Sequence, residues 1–293
     1  MPKSKRPFRI FASALSALAL ALSLGTASAA AATPGATVVS SGWNNYSCRP
    51  STAHPRPVVL VHGTFENAAQ NWAVLAPYLV KRGYCVFSLD YGQLPGVPFF
   101  HGLGPMAKSA GQLSAFVDKV RTATGTEKVD IVGHSQGGGA MPRYYLKFLG
   151  GAAKVNQLVG IAPSHHGTTT SGLGSLVSAI PGARKVVGAL VPAAEEQLIG
   201  SEFMRKLNAG GDTEPGVRYT NIVTKYDEVV TPYKTQFLSG PDVRNVVVQD
   251  LCRFDISEHL LVGTVDGVAF HEVANALDPA HATPTTCAAA GLR

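Results

Sequence analysis

The sequence predicts an α/β protein in which helices cover both faces of a doubly wound, mostly parallel β-sheet. Segments rich in β-branched apolar residues, such as Val58–Val61 and Val129–Val132, have the composition of strands buried on both faces of a parallel sheet. Helical patterns alternate with these segments along the chain, which is the order of β-α-β units. In such a sheet we expect a functional site at the carboxyl ends of the strands.

The amino-terminal residues have the organisation of a secretory signal peptide. Four lysines and arginines precede the apolar segment Ile10–Leu24 and the small-residue string Thr26–Ala30, and we expect cleavage after Ala29 or within the next few alanines. A membrane anchor is the alternative, but a spanning helix needs roughly 20 apolar residues. The sequence therefore predicts a signal peptide over residues 1–29 and a secreted protein without a stable membrane anchor.

Charge and length limit the class of the mature protein. Removal of the leader, which contains four cations and no acidic residue, lowers the formal net charge from +6 to +2. No cluster of Lys and Arg with interleaved aromatic residues remains, which argues against a nucleic-acid partner. About 260 residues are enough for one large core, so we predict a single catalytic domain over residues 30–293 that acts as a monomer.

The four cysteines are Cys48, Cys85, Cys252 and Cys287, and all lie in the predicted exported part. An even number of cysteines in an oxidising compartment predicts two disulfides, for which three pairings are possible. A zinc site is the alternative, but no C-x-x-C or close Cys/His spacing occurs. We expect neither a metal nor an organic cofactor.

The elements before the central motif are regular. They are predicted, in order, as a strand over residues 57–61, a helix over 67–82, a strand over 84–90, a loop rich in Gly and Pro over 91–105 and a helix over 107–122. The first helix is predicted as one continuous element because Trp72, Leu75 and Leu79 recur at helical spacing and Gly83 can end it.

The segment around Ser135 carries the strongest chemical signal. Gly133-His134-Ser135-Gln136-Gly137 is a G-x-S-x-G motif that directly follows a strand and precedes a helix predicted over residues 140–149. The glycines allow a sharp turn at which side chains would otherwise collide, so we expect Ser135 to be held exposed at the turn. An ordinary serine in a Gly-rich loop is the alternative, which the order of strand, turn and helix disfavours.

The second half of the chain continues the pattern. Strands are predicted over residues 155–162, 217–223 and 243–248, and a last helix over 270–277. Residues 169–216 form an insertion of low charge, rich in Gly, Ala and Ser, between two of these strands. We predict a helical cap over the site there, and the alternative is a helix pair packed entirely into the core.

The position of Ser135 restricts the search for its partners. A serine hydroxyl needs a histidine to take its proton and a carboxylate to orient that histidine, and in this type of sheet the chain order is Ser, acid, His. Asp227 directly follows a strand and is the predicted acid. Its neighbour Glu228 is the near rival, because only one of the two can point inward, whereas Asp212 and Asp250 occupy less suitable positions.

His259 is the predicted base because it follows the last strand after a short loop. His271 lies in a predicted helix and His281 in a Pro-rich tail, so both are less suited to this role. His165 and His166 precede the predicted acid and break the expected order. We expect these two to pack a loop or to line the site.

Acyl transfer also needs donors for the oxyanion. The backbone N–H of the residue after the nucleophile, Gln136, is the first expected donor. The loop after the first strand supplies the second, for which we choose the N–H of Thr64, and the Thr64 hydroxyl is a possible third donor. Phe65 is the alternative if this loop is registered one residue later.

Three segments together resemble the secreted actinobacterial lipases of the class 2 lipase family. They are Val61–Thr64, Gly133–Gly138 and Ser257–Leu260, and the resemblance covers nearly the whole mature chain. A more distant similarity, to the yeast lipase B type, is carried by Ser135–Gly137 and by Tyr219–Ile222 with Asp227–Val230. In the cap the chain is longer and differently patterned than that type, so acyl-chain preference and lid behaviour do not carry over.

The resemblance implies an α/β-hydrolase fold and a lipase or carboxylesterase with Ser135, Asp227 and His259 as its triad. It implies Thr64 and Gln136 as the oxyanion donors.

The resemblance also implies the pairings Cys48–Cys85 and Cys252–Cys287.

The predicted function is that of a secreted serine hydrolase that cleaves carboxylic esters through an acyl-enzyme, with acylglycerols at a lipid–water interface as the expected substrate. A polyester depolymerase, a thioesterase or an acyltransferase would use the same triad. A non-catalytic protein that holds a lipid under the cap is the alternative from another class. The complete set of predicted catalytic residues argues against it, since a pure binding protein does not need them.

Overall fold

The computed structural model of the protein describes residues 42–181, 183 and 191–288, so the predicted signal peptide lies outside the described residues. Within them, a six-stranded sheet has the order β2-β1-β3-β4-β5-β6, and all neighbouring strands are parallel. The strands are β1 Val58–Val61, β2 Val86–Leu89, β3 Val129–His134, β4 Val155–Ile161, β5 Arg218–Val223 and β6 Val243–Val247.

The helices pack on this sheet and connect its strands. Those in the described residues are α1 Ala68–Asn71, α2 Leu75–Lys81, α3 Met106–Thr124, α4 Ala140–Phe148, α5 Thr170–Ala179, α6 Pro192–Glu196, α7 Glu202–Asn208, α8 Val248–Leu251, α9 His259–Thr264 and α10 Gly267–Leu277. Of these, α8 and α9 were not predicted from the sequence, and α10 begins three residues before the predicted last helix.

The side chains of the strands alternate between two buried cores. Val59 and Val61 of β1 pack with α3 and α4 on one face, while Val58 and Leu60 pack with α2 and α10 on the other. Helices on both faces of a parallel sheet confirm the predicted doubly wound α/β fold. The chain changes direction across the sheet between β1 and β3, so the ends of these strands form the crevice where such sheets carry their sites.

The prediction of one continuous helix over residues 67–82 is wrong. The structure has α1 and α2 with a break at residues 72–74, and Pro77 lies in the first turn of α2. Proline is tolerated there but cannot continue a helix from the preceding turn, because its ring clashes with the carbonyl four residues before it. Two short helices therefore replace the predicted one.

The insertion over residues 169–216 packs in two ways. Leu176 of α5 joins an apolar cluster with Phe65 and Val229, next to two of the predicted site residues. Met204 and Leu207 of α7 instead belong to the core around α3 and α4. Helix α5 and residues 191–197 therefore lie beside the predicted site, whereas α7 does not.

The two disulfides are those that the resemblance implied. Cys48 is bonded to Cys85 with a Cα–Cα distance of 5.8 Å, and Cys252 to Cys287 with 4.9 Å. These pairings are confirmed, and all four thiols are used, which removes the alternative of a zinc site. In the part of the chain that the structure describes, no helix has the length and apolar character needed to cross a membrane.

Candidate active site

The G-x-S-x-G motif forms a tight turn between β3 and α4. Ser135 has a left-handed backbone with φ of 56°, a conformation that costs free energy in a non-glycine residue. A Cβ atom on Gly133 would overlap the carbonyl of Gly137, and one on Gly137 would overlap the carbonyls at the end of β1. Both positions therefore require glycine, as the sequence predicted.

The exposure that the sequence predicted for Ser135 is wrong. Its relative exposure is only 3%. The turn places its Cβ against the loop at residues 62–64, called the oxyanion loop after its predicted role, where a Cβ on Gly63 would lie 3.1 Å away. The Oγ faces inward, 3.0 Å from Nε2 of His259, so the serine points into the site rather than into solvent.

His259 lies between Ser135 and Asp227. Its Nδ1 is 2.8 Å from Oδ2 of Asp227, while its Nε2 faces the serine hydroxyl. Because a carboxylate only accepts, Nδ1 carries the proton and Nε2 is free to accept the proton of Ser135. The histidine is the first residue of α9, which Glu258 caps through hydrogen bonds from two backbone N–H groups.

The charge around His259 favours its protonated form. Burial alone would lower the pKa of His259, but the neighbouring Asp227 carboxylate and its hydrogen bond outweigh the burial, with smaller contributions from Glu66 and Glu228. The pKa of His259 is therefore raised above its usual value. A histidine that gains a proton during reaction is stabilised in this environment.

The Asp227 carboxylate has four donors. Oδ1 accepts the N–H groups of Val229 and Val230, at 2.9 and 2.7 Å. Oδ2 accepts the Gln236 side chain at 2.9 Å and His259 at 2.8 Å. These contacts fix the orientation of the carboxylate.

The rival carboxylates lie elsewhere. Glu228 is exposed, next to the buried Asp227. Asp212 is bonded to His166 and ion-paired with Arg143, and Asp250 forms an exposed ion pair with Lys225.

The other histidines also have different partners. His165 is bonded to Asn221 at 2.7 Å, and His271 and His281 contact Thr285 and Asp278 near the carboxyl terminus. His62 is fully buried, and burial lowers its pKa to about 4. It is therefore neutral at neutral pH, and its ring makes no hydrogen bond to Ser135.

The oxyanion loop follows β1. The Phe65 N–H donates to the carbonyl of His101 at 3.0 Å, so it is already engaged. In the described part of the chain, the Thr64 N–H has no hydrogen-bond acceptor. The Gln136 N–H lies in the first turn of a 3₁₀ helix, Ser135–Gly138, where N–H groups lack intrahelical acceptors.

Two glutamine side chains hold Thr64 in place. Nε2 of Gln136 donates to its Oγ1 at 2.7 Å, and Nε2 of Gln197 donates to the same oxygen at 3.0 Å. With both acceptor positions of the hydroxyl filled, its proton is free to point elsewhere.

Sequence reasoning did not find two glutamines that support the site. Gln197 follows α6 and reaches Thr64 across 133 positions of sequence, and Gln236 contacts the acid from a 3₁₀ turn. Neither belongs to a motif with a fixed spacing, so the sequence contains no signal for them. Among the described residues, no group of three or more His, Cys, Asp or Glu side chains is arranged to hold a metal ion.

The chain is similar to a known protein family and to known lipases. The model of the family described as Lipase (class 2) matches residues 55–260. Two curated triacylglycerol lipases, from Pseudarthrobacter phenanthrenivorans and Burkholderia plantarii, are each 38% identical to the chain over 87 residues. This stretch is 28% of the chain and 25% and 23% of the two relatives, so the chain matches only about a quarter of their length.

Solved structures resemble the fold more completely. Lipase B of Aspergillus fumigatus superimposes with a TM-score of 0.62 and 22% identity, covering 83% of this chain and 56% of that one. The mature form of a Bacillus licheniformis lipase gives 0.58 and 17%, covering 78% and 94%. At these identities the likeness shows the fold alone, which is the α/β-hydrolase fold.

Proposed function

The chain belongs to the class 2 lipase family, and from this premise we propose that it is a serine hydrolase that cleaves carboxylic esters through an acyl-enzyme. One observation carries the proposal: His259 lies 3.0 Å from Ser135 Oγ and 2.8 Å from Asp227 Oδ2, with its two nitrogens in the required roles. This arrangement converts a weakly nucleophilic hydroxyl into an attacking group.

The reaction follows from these contacts. Ser135 Oγ attacks the ester carbonyl carbon while His259 Nε2 takes the hydroxyl proton, and Asp227 stabilises the imidazolium. The histidine then gives this proton to the leaving alcohol, and the acyl group remains on the serine. Water repeats the sequence, with His259 as base and then acid, and releases the carboxylic acid.

The negative charge that develops on the carbonyl oxygen needs preorganised donors. We assign this role to the backbone N–H groups of Thr64 and Gln136, with the Thr64 hydroxyl as a third donor. The engagement of the Phe65 N–H elsewhere supports Thr64, and the two glutamines that fill the hydroxyl's acceptor positions support the third donor.

The surroundings of the site favour an apolar acyl group. Phe65 follows the oxyanion loop, Val229 and Val230 follow the acid, and all three belong to one buried apolar cluster with Leu103 and Leu176. Burial of an aliphatic chain against such side chains gives roughly 25 cal/mol per Å² of apolar surface. We therefore propose acylglycerols, the substrate class in the names of the curated relatives, as substrates.

We also propose that residues 30–293 form one catalytic domain in which part of residues 169–216 covers the site, and that the protein is secreted. The packing of α5 against the apolar cluster beside the site supports a cap. The two disulfides support secretion, because such bonds persist in oxidising compartments.

Hydrolysis of p-nitrophenyl esters by purified protein tests the assignment. Ser135→Ala should lower kcat/KM by at least ~10⁴-fold, since the nucleophile is lost. Ser164→Ala is the matched control, because Ser164 is also buried, just beyond the end of β4, and lies outside the proposed triad. Retained hydrolysis in Ser135→Ala, or equal losses in both variants, contradicts the proposal.

The substrate class needs a separate comparison. Emulsified triolein, a polyester film and an acyl thioester distinguish a lipase from the other hydrolases that use such a triad. Preferred turnover of triolein is expected. Hydrolysis of the thioester or the film with no action on triolein would overturn the acylglycerol assignment and leave the serine chemistry intact.

A further inference from the structure

Glu66 connects the oxyanion loop to the nucleophile turn. Its side chain is almost fully buried. Oε2 accepts the Gly63 N–H at 2.7 Å and lies 2.9 Å from Nδ1 of His134. Gly63 precedes Thr64, and His134 precedes Ser135, so this single oxygen joins the residues directly before two of the proposed catalytic groups.

His134 extends the connection to the third catalytic group. Its Nε2 lies 3.0 Å from the backbone carbonyl oxygen of His259, and the side chain is fully buried. A carbonyl oxygen only accepts hydrogen bonds, so Nε2 carries a proton. A second proton lies between Nδ1 and the carboxyl of Glu66.

Glu66 favours its ionised form in this contact. Oε2 of Glu66 already accepts the Gly63 N–H, which favours the ionised carboxylate. Burial would raise the pKa of Glu66, but the charge of His134 and its hydrogen bond outweigh the burial, so the pKa lies below its ordinary value. The contact between Glu66 and His134 is therefore a buried hydrogen bond that favours the carboxylate form of Glu66.

The surroundings leave this pair little freedom. A Cβ on Gly263 in α9 would overlap the His134 ring, so the ring packs directly against the helix that begins with His259. Asn71 spans the same segments, since its Oδ1 accepts the Gly63 N–H at 3.2 Å and its Nδ2 donates to the Gly263 carbonyl at 3.4 Å. Three parts of the site are thus connected through buried polar contacts.

We propose that Glu66 and His134 are positioning residues that hold the oxyanion loop, the nucleophile turn and His259 in one arrangement, an inference that rests on the proposed function. Neither side chain touches the reacting atoms. A shift of about 1 Å in the relative position of catalytic groups costs on the order of 10²-fold in rate. Loss of either side chain leaves polar atoms of the other buried and without a partner, which shifts the segments that it contacts.

The test compares Glu66→Gln, His134→Gln and the double variant with the wild type. A fluorophosphonate first titrates the fraction of chains with a reactive serine, and kcat and KM for a p-nitrophenyl ester are then expressed per titrated site. Each single variant should lose on the order of 10²-fold in kcat, with KM changed less than about threefold. The double variant, which removes both partners of the hydrogen bond, should lose less than the product of the single losses.

Glu272→Gln is the matched control. Glu272 is also a buried carboxylate in an ion pair, with Arg244, but it contacts β6 rather than the site. It should lower the thermal midpoint while leaving kcat per titrated site unchanged. If a single variant does not accumulate as folded protein, Glu66→Asp, which keeps the charge and retracts it by one methylene, should lose about tenfold in kcat per site.

The outcomes are distinguishable. Unchanged kcat per titrated site in the folded Glu66 and His134 variants, with only a lower thermal midpoint, overturns the positioning role and leaves the proposed function standing. A wild-type protein that neither hydrolyses the ester nor reacts with the fluorophosphonate overturns both.

Discussion

Asp227 and Glu228 are neighbouring carboxylates whose different surroundings could be predicted only in part from the sequence. Both follow β5, and the sequence predicted that only one of two neighbours can point inward. In the structure Asp227 is buried with four donors, two of them backbone N–H groups, while Glu228 is exposed. The backbone donors could not be read from the sequence, because they depend on how the chain turns after the acid.

Substitution of each carboxylate tests this distinction. Asp227→Asn should lower kcat on the order of 10⁴-fold, because the amide no longer holds His259 in the productive tautomer. Glu228→Gln should change kcat less than about threefold, since an exposed charge is screened by solvent. Steady-state hydrolysis of a p-nitrophenyl ester measures both, and a severe loss in Glu228→Gln with a mild one in Asp227→Asn would move the role.

The contacts that Gln197, Glu66 and His134 make around the site could not be predicted from the sequence. Ser135, Asp227 and His259, which the structure brings together, could be proposed because the predicted chemistry imposes an order along the chain. Gln197, Glu66 and His134 impose none, since their contacts span 133, 68 and 125 positions and depend on tertiary packing. Of these, only His134 lay within a motif, where its chemistry had no predicted role.

At the scale of elements, the segment that carries His259 is held by two buried aspartates. Asp255 lies in the loop before α9, and Asp266 caps α10 by accepting two backbone N–H groups. The two carboxyls lie close enough for the charge of Asp255 to act on Asp266. Burial, together with the charge of Asp255, raises the pKa of Asp266 to about 6.

This pair makes the stability of the segment depend on pH. The pKa of Asp266 in the folded protein lies above the ~3.9 of an unfolded aspartate. The stabilisation of the folded state that protonated Asp266 contributes is therefore fully present below pH ~3.9 and is lost as the pH rises through about 6. Asp255→Asn removes one of two repelling charges. It should raise the thermal midpoint at pH 8 by roughly 5 °C and change it less at pH 4.

Calorimetry at the two pH values measures this difference. Asp250→Asn is the control, because Asp250 is exposed and paired with Lys225, and its midpoint should differ little from the wild type at pH 8. An equal shift of the Asp255→Asn midpoint at both pH values would show that the two carboxyls do not interact.

The bounds of strands and helices were predicted best where a single pattern of apolar residues runs through the whole element. Buried strands such as β1 and β3 read as apolar runs because both faces are covered. The break between α1 and α2 was missed, since the apolar spacing of Trp72, Leu75 and Leu79 outweighed the effect of Pro77 in the prediction. Helix α9 was missed because its six residues are too few for a periodic pattern.

At the scale of the molecule, the alternation of strands and helices was enough to predict the parallel sheet. The strand order was not predicted, because it depends on which edge each crossover takes. The number of cysteines left three pairing schemes open. Only the family resemblance selected the scheme with the two disulfides that the structure confirms. The insertion over residues 169–216 was predicted as one unit, but α5 packs beside the site and α7 in the main core.

The central claim is that this fold presents Ser135 as a nucleophile activated by His259 and Asp227. Reaction of the purified protein with a fluorophosphonate, followed by mass spectrometry of the intact chain and its peptides, tests it most directly. We expect one adduct per chain, located on Ser135, absent from Ser135→Ala and formed far more slowly in His259→Ala. An adduct on another serine, or labelling that does not depend on His259, would contradict the account.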